Sequence, residues 1–211
     1  LSASGRFRRR ALAKEALGIE IAALLAFSAA RNNDRVGLIA FSDRVELFVP
    51  PRKGRSHVLG LLSELLRHRS KRRGTSIQSG LAQLNRVLRR RAVVFLISDF
   101  LDQGYEKAMK VTAYRHDLIP VHLRDPRDEV LPDMGWMRVE DLESGELYEV
   151  DTSDPDIRRR YALNAAALRE SREALFRSLR LDHVAVETGK PYVRAFFELF
   201  RRRMARSGGR R

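Results

Sequence analysis

A short apolar run near the middle of the chain constrains the fold more than any other stretch. Residues 92–97 read AVVFLI, without the polar and apolar alternation of a strand that has one face in water. The run is too short for a buried helix, and its β-branched and aromatic residues favour a strand. We therefore predict a strand buried on both faces, as in a parallel sheet covered by helices.

Further apolar strands alternate with segments of helical periodicity. Strands are predicted at Val36–Phe41, Ala92–Ile97, Asp117–Leu123 and His183–Glu187. Helices are predicted at Ala11–Ala30, about Ser56–Arg67, after Thr75, near Tyr105–Tyr114, from Ser153–Pro155 onward and at Tyr192–Met204. This order predicts an α/β fold with a doubly wound, mostly parallel, Rossmann-like sheet in which those four strands run parallel.

Two segments depart from the alternation. Val45–Val49 alternates apolar and polar residues, which predicts a half-buried antiparallel edge strand that Pro50 and Pro51 end. Residues 125–152 are interrupted by prolines and glycines, and we interpret them as an insertion with short strands near Trp136–Val139 and Glu146–Val150. The chain is thus predicted to form one domain over residues 1–211.

The composition limits the classes of protein that remain. The 211 residues include no cysteine, which excludes disulfides, thiolate metal sites and cysteine nucleophiles. No apolar run reaches the roughly 18 residues of a membrane span, and the first residues lack the apolar segment of a signal peptide. We therefore expect a cytoplasmic location. The first residue is not methionine, so we expect the sequence to begin inside a longer protein.

The chain is strongly basic. Lysine and arginine number 41 against 27 aspartate and glutamate, a formal net charge of +14. The excess is concentrated in four runs: Arg6–Arg10, Arg67–Arg73, Arg89–Arg91 and Arg201–Arg211. We interpret these runs as solvated helix ends. A nucleic-acid-binding surface is the alternative, although no aromatic residues interleave with the runs as a base-stacking platform would require.

Hydroxyl and acidic residues occur where a site would form. Asp99 follows the buried strand, and ligands of open α/β sheets bind beyond the carboxyl ends of the strands. Thr75 opens a predicted helix, and Ser2 and Ser4 lie in a predicted first loop, LSASG. Oxygen donors of this kind suit Mg²⁺. Capping is the competing interpretation, with Asp99 or Asp102 at the start of the next helix.

The sequence contains no other motif that predicts a metal, nucleotide or catalytic site. The five histidines lack the spacing of a zinc site, and we expect His116 and His122 to be structural. Neither of the two glycine-rich phosphate-binding motifs is present, and LSASG resembles a nucleophile elbow only superficially.

Several stretches resemble a known family. The S-A-S of the first loop, the pair Gly74-Thr75 and the triplet S-D-F at Ser98–Phe100 are similar to the metal-ion-dependent adhesion site of von Willebrand factor type A domains. That motif reads Asp-x-Ser-x-Ser, then a distant Thr, then a distant Asp. NNDRVGLIAFSD, PPRKGRSHVL, VVFLISDF, YRHDLIPVHLRDP, LPDMGW and DLESGELYEVDTS resemble a bacterial branch, the domain-of-unknown-function family 58.

The resemblance implies a Rossmann-like sheet with a Mg²⁺ site at its carboxyl edge. It also implies a protein partner, an AAA+ ATPase of the MoxR type. Carried over by motif, Ser2, Ser4 and Thr75 would be metal ligands, and Asp99 would be the acidic partner, often bound through water. The first Asp of the motif is absent from the sequence. It would immediately precede Leu1, at the end of a first strand that lies upstream.

The resulting prediction is a non-enzymatic interaction domain whose metal binds an acidic group of a partner protein. Two alternatives stay open. One is a nucleic-acid-binding module that uses the basic surface. The other is a metal-assisted phosphoesterase with the same oxygen ligands, against which the sequence offers no plausible general base beside the site.

Overall fold

The computed structural model describes residues 3–68, 74–140 and 147–208, with side chains for 12–68, 74–138 and 147–206. The helices are α1 Ala3–Arg31, α2 Arg55–Arg67, α3 Ile77–Val87, α4 Glu106–Arg115, α5 Pro155–Ser178 and α6 Val193–Gly208. The strands are β1 Val36–Phe41, β2 Val45–Arg52, β3 Val93–Ser98, β4 Asp117–Arg124, β5 Trp136–Glu140, β6 Leu147–Asp151 and β7 Val184–Glu187. The molecule is thus a mixed α/β protein, as predicted.

A three-stranded parallel sheet, in the order β3-β4-β7, lies at the centre. Its two faces pack into separate hydrophobic cores, because successive side chains of a strand point to opposite faces. Val94 and Leu96 of β3 pack with α3 and α4, whereas Phe95 and Ile97 pack on the opposite face with α1 and α6. The prediction of a strand covered on both faces is therefore confirmed. Val93, at the start of β3, is the exposed exception.

The prediction that four parallel strands form one continuous sheet is wrong in one respect. β1 pairs antiparallel with β2 in a sheet of its own, and it has no hydrogen-bonded pairing with β3 among the described residues. Apolar periodicity reports that a strand is buried, but it does not report which strand lies beside it. β1 and β3 nevertheless contact the same helices, since α1 touches both strands and α3 packs on Phe41 of β1 and Leu96 of β3.

The antiparallel edge strand is confirmed, but it is longer than predicted. β2 continues through Pro50 and Pro51 to Arg52. Proline is tolerated in an edge strand, where its missing N–H removes no internal ladder bond. Pro51 packs over Gly37, where an added Cβ would lie 3.0 Å from the proline ring and from the carbonyl oxygen of Val49.

The segment predicted as an insertion contains an antiparallel hairpin. β5 and β6 pair from Trp136↔Asp151 to Glu140↔Leu147, close to the two predicted short strands. The predicted start of the following helix is also confirmed. The carboxylate of Asp154 accepts a hydrogen bond from the backbone N–H of Asp156 at 2.8 Å, and Pro155 is the first residue of α5.

The first helix begins earlier than predicted. α1 starts at Ala3, so the residues Ala3–Gly5, predicted as part of a loop, are helical. The small residues suggested a turn, but no proline interrupts the segment and the basic run that follows consists of good helix formers. Once a helix exists, each added residue gains a backbone hydrogen bond, and α1 therefore extends through this stretch.

Candidate functional site

A tight turn ends β3 and projects Asp99 beyond the sheet. The buried hydroxyl of Ser98 accepts a hydrogen bond from the backbone N–H of Phe100 at 3.1 Å. One carboxylate oxygen of Asp99 accepts a bond from the backbone N–H of Leu101 at 3.4 Å. Phe100 adopts a φ of 55°, a left-handed conformation that is uncommon for a bulky side chain. The turn is therefore held by local hydrogen bonds, and it places Phe100 in an unfavourable backbone conformation.

The ring of Phe100 anchors this turn in the core. The residue is 2% exposed. Its ring lies edge-on to the rings of Tyr105, His122 and Phe176, with centroid distances of 6.0, 6.0 and 5.3 Å. Such edge-to-face contacts add to the free energy gained by burial. The packing thus stabilises the left-handed residue and fixes the direction of Asp99, its neighbour.

Asp99 belongs to an ion cluster that the sequence did not predict. The ammonium Nζ of Lys14, on α1, lies 3.2 Å from Oδ2 of Asp99 and 2.7 Å from Oδ2 of Asp128. The Lys14 side chain is only 12% exposed, so its charge is largely removed from water. Asp128 also accepts a bond from the backbone N–H of Asp125 in a capping box at Pro126–Asp128. One cation therefore joins α1 to two loops at the carboxyl edge.

The start of α3 is capped from the turn after β3. A carboxylate oxygen of Asp102 accepts a hydrogen bond from the backbone N–H of Ile77 at 2.7 Å. Ser76, the residue before the helix, accepts a bond through its hydroxyl from the backbone N–H of Ser79 at 3.2 Å. Capping was the predicted alternative for the two acids, but it holds only for Asp102, and the helix it caps is α3 rather than α4. Tyr105 precedes α4 and gives it no side-chain cap.

The end of β1 meets the same helix terminus. The carbonyl oxygen of Ser42 accepts a hydrogen bond from the backbone N–H of Ser76 at 2.6 Å. The buried hydroxyl of Ser42 donates to a carboxylate oxygen of Glu46 at 2.8 Å. The loops that follow β1 and β3 and the loop that precedes α3 therefore converge at one end of the molecule.

The structure places the predicted metal ligands that it describes in different settings. Ser2 lies outside the described residues. Ser4 lies in the first turn of α1 rather than in a loop, and its side chain is outside the described set. Thr75 is exposed, one residue before the cap of α3. Asp99 lies at the adjoining carboxyl end of β3. The structure therefore brings the loops of Thr75 and Asp99 to the same edge, and metal binding by these residues stays a prediction.

The donor chemistry of this edge suits a hard cation, but the described donors are too few for a complete site. Thr75 offers a hydroxyl and Asp99 a carboxylate that Lys14 already neutralises in part. Within the described ranges, no group of three or more His, Asp or Glu side chains is arranged to hold a metal ion. Mg²⁺ needs an octahedron of oxygens, although several of these are ordinarily water. Ligands beyond the described residues would be required.

A second group of polar side chains lies on the α5 face of the same edge. His122 is 9% exposed, and burial lowers its pKa to about 3, with the positive charge of Arg172 as the next cause. Arg172, on α5, is 8% exposed, and burial lowers its pKa as well. Burial also raises the pKa of the Tyr105 hydroxyl, which Arg172 opposes. His122 is therefore a neutral imidazole beside a buried cation.

Sequence reasoning missed Lys14, Asp128 and Arg172. Lys14 interrupts the apolar periodicity of a buried helix, which was an available signal. Asp128 comes two residues after Pro126, beyond the end of a predicted strand, and this position was a weaker signal. Arg172 is one of many arginines in α5, and its spacing of four residues from the buried Phe176 was the only local indication that it faces the core.

These features define a mixed α/β protein with a polar, charge-paired region at the carboxyl edge of a parallel sheet. The chain belongs to the family described as "Protein of unknown function DUF58", whose family model matches residues 1–171. This agrees with the family that the sequence motifs resemble.

The chain is also similar to several bacterial proteins. The chain is 29% identical to an uncharacterized protein of Mycobacterium bovis over 213 aligned positions, which cover 99% of this chain and 67% of that protein. It is 31% identical to an uncharacterized protein of Mycobacterium avium, over 69% of this chain and 87% of that protein. Among solved structures, the conserved hypothetical protein BatB from Bacteroides thetaiotaomicron is similar with a TM-score of 0.46 and 17% identity, over 81% of this chain and 80% of that one.

None of the helices in the described part of the chain combines the length and the apolar character needed to cross a membrane.

Proposed function

We propose that this chain is a von Willebrand A-like, Rossmann-like interaction domain that binds a partner protein through a Mg²⁺-type site at the carboxyl edge of its sheet. The ligands in this proposal are Ser2, Ser4 and Thr75, with Asp99 as the acidic partner, direct or through water. The proposed partner is a MoxR-type AAA+ ATPase, and the proposed location is the cytoplasm. The proposed role is binding rather than catalysis. The family membership and the motif order support this proposal.

The convergence at the start of α3 is the observation that carries the proposal. Thr75 lies two residues before Ile77, whose backbone N–H bonds to Asp102 at 2.7 Å. Asp102 lies three residues after Asp99. The loop of Thr75 and the turn of Asp99 are therefore brought to one edge by the capping bond between Ile77 and Asp102. A metal site assembled from several loops needs this kind of convergence.

The proposal includes a further strand between β1 and β3 that ends on an aspartate before Leu1. Two observations support it. Each of these two strands is paired on one side only among the described residues, β1 with β2 and β3 with β4. Both strands also pack under α1 and α3. Unpaired backbone groups are costly when they are buried, and a strand at this position would satisfy those of both edges.

The residues of the chain have separable roles in this proposal. A bound Mg²⁺ would supply a hard cation with a position open to an acidic side chain of the partner. Phe100 fixes the direction of Asp99 through its buried ring. Lys14 offsets part of the negative charge of Asp99 and Asp128, which lowers the repulsion between the two carboxylates when the metal is absent. Asp102 holds the loop of Thr75 against the turn of Asp99.

The test uses a chain extended to include the residues that precede Leu1 in its gene. Pull-down of the cognate ATPase would be measured with Mg²⁺, with EDTA and over a range of salt concentrations. We expect capture that EDTA abolishes and moderate salt leaves in place. Binding to nucleic acid that falls steeply with salt and ignores EDTA would support the alternative module instead.

Two variants test whether the capture depends on Asp99 in particular. Asp99→Ala should lose the EDTA-sensitive capture, whereas Asp34→Ala should retain it, because Asp34 is an exposed loop acid at a different position. If Asp99→Ala captures the ATPase as the native chain does, the metal-bridged mechanism is wrong.

A further inference from the structure

Arg172 is the only buried arginine among those that the structure describes. It lies on the inner face of α5, one turn before the fully buried Phe176. Burying a guanidinium is costly unless it is paired, because the charged group loses its hydration. A paired arginine would need an acceptor close by.

No described residue supplies that acceptor. Arg172 makes no hydrogen bond or ion pair within the described part of the chain. The carboxylate of Glu129 influences it, but both Glu129 oxygens bind other arginines, at 2.7 Å from Arg124 and 3.0 Å from Arg169. The neighbouring Glu173 pairs with Arg177 at 3.6 Å. The acidic groups around Arg172 are therefore committed elsewhere.

Two more buried donors lie beside Arg172. Tyr105 is 5% exposed and His122 is 9% exposed. Neither side chain has a hydrogen-bonding partner in the described ranges, and both rings contact Phe100. Arg172 is the charged group that acts most strongly on each of them. Tyr105 and His122 therefore lie on the ring of Phe100 with Arg172 as their strongest charged neighbour, and the acids that act more weakly on Tyr105 are Asp102 and Glu106.

The charges that act on His122 are all positive. Arg124 and Lys14 act on His122 in the same sense as Arg172, and so does His183, whose ring lies 5.2 Å from that of Phe176. A group that accepts hydrogen bonds and carries negative charge would satisfy Arg172, Tyr105 and His122 at once. A cation would not.

We propose that Arg172, Tyr105 and His122 form a binding site for an oxyanion at the carboxyl edge of the sheet, beneath α5. The ligand is a phosphate or a carboxylate group. The guanidinium provides two parallel N–H donors that match two oxygens of either group. Tyr105 provides an O–H donor, and neutral His122 provides one N–H donor. This site takes an anion, and it is separate from the metal proposed at Thr75 and Asp99.

The experiment is a titration of the chain with inorganic phosphate and, in parallel, with succinate. EDTA is present throughout, so the outcome does not depend on the proposed metal site, and sodium chloride keeps the ionic strength constant. Amide chemical shifts and the melting temperature are recorded. We expect a saturable shift of amides in β4, α5 and the turn after β3, together with a rise in melting temperature. A response to phosphate alone identifies a phosphorylated ligand, and a response to succinate alone identifies a carboxylate ligand.

Three variants test the residues. Arg172→Met should abolish the saturable response and, without added anion, should melt near the native temperature, because it removes a largely buried charge that has no acidic partner of its own among the described residues. Arg172→Lys keeps the charge but loses the paired donors, and should weaken binding by about tenfold. Arg177→Met, an exposed change on the same helix, should respond as the native chain does.

Three results would overturn the proposed anion site. The proposal fails if neither anion gives a saturable response in the native chain, or if Arg172→Met retains the response. It also fails if Arg172→Met melts far below the native chain while Arg172→Lys binds anion as the native chain does, because Arg172 would then be a packing residue.

Discussion

The ammonium of Lys14 lies 3.2 Å from the carboxylate of Asp99, across 85 positions of sequence. The contact joins the middle of α1 to the turn after β3. Because Asp99 is also the predicted acidic partner of a metal, a lysine and a divalent cation would compete for the same oxygen atoms. Lys14 is therefore the residue whose replacement best separates a structural ion cluster from a metal site.

Replacing Lys14 with methionine tests that competition. Lys14→Met leaves Asp99 and Asp128 without their shared cation, and we expect a loss of about 1–3 kcal/mol in unfolding free energy without metal. In the extended chain we expect added Mg²⁺ to raise the melting temperature of Lys14→Met more than that of the native protein. Thermal melts with Mg²⁺ and with EDTA measure both effects. Equal responses would show that Lys14 and the metal do not share a site.

Asp99→Ala should weaken Mg²⁺ binding while the fold is largely retained. Asp99 lies past the end of β3 and fills no part of the core, and Lys14 keeps Asp128 as a partner at 2.7 Å. Removing one carboxylate also lowers the repulsion between acidic groups when metal is absent. Calorimetric titration of the extended chain with Mg²⁺ measures the affinity. A urea unfolding curve of the same chain measures the stability. Unchanged Mg²⁺ affinity would assign Asp99 to the ion cluster alone.

Phe100→Ala is the contrasting core substitution. The ring is 2% exposed and contacts three other rings, so its removal should cost about 3–5 kcal/mol through the cavity that it leaves. Any loss of binding should then follow the loss of folded protein. Urea unfolding measures the cost. A stable Phe100→Ala chain that fails to bind would mean that the ring acts at the site directly.

Asp102→Ala should destabilise the start of α3. The substitution removes the acceptor of the Ile77 N–H, and loss of a cap costs about 0.5–2 kcal/mol. Hydrogen exchange should accelerate at the first turn of α3 while β4 stays protected, because the cap is local. Asp156→Ala, at the exposed start of α5, is a control for removing an acid from a helix end. Uniform acceleration across the molecule would contradict a local role.

His122 should make the protein less stable in acid. Its pKa is lowered to about 3, mainly by burial, whereas an unfolded histidine titrates near 6.5. Between these two values the unfolded chain binds the additional proton, so this contribution is complete above about pH 6.5 and is lost as the pH falls toward 3. The slope is up to about 1.4 kcal/mol per pH unit. His122→Leu should remove about one proton from the pH dependence of urea unfolding between pH 6.5 and 4, and an unchanged slope would refute the assignment.

The sequence by itself determined most of the local elements. The run at Ala92–Ile97 predicted a strand with two covered faces, and the signals at Asp154 and Pro155 predicted the start of α5. These features depend on contacts within a few residues, where periodicity, capping and backbone preference leave a direct record in the sequence. The position of Asp99 after a buried strand was predictable for the same reason.

Only the tertiary structure decided which groups meet. The pairing of Lys14 with Asp99, the cap that Asp102 places on α3 and the separate sheet of β1 join parts of the chain that lie far apart in sequence. Arg172 is one arginine among many until the fold buries it beside Tyr105 and His122. Hydrogen bonds and ion pairs form wherever the packed elements bring donors and acceptors within about 3 Å, and local periodicity does not encode that proximity.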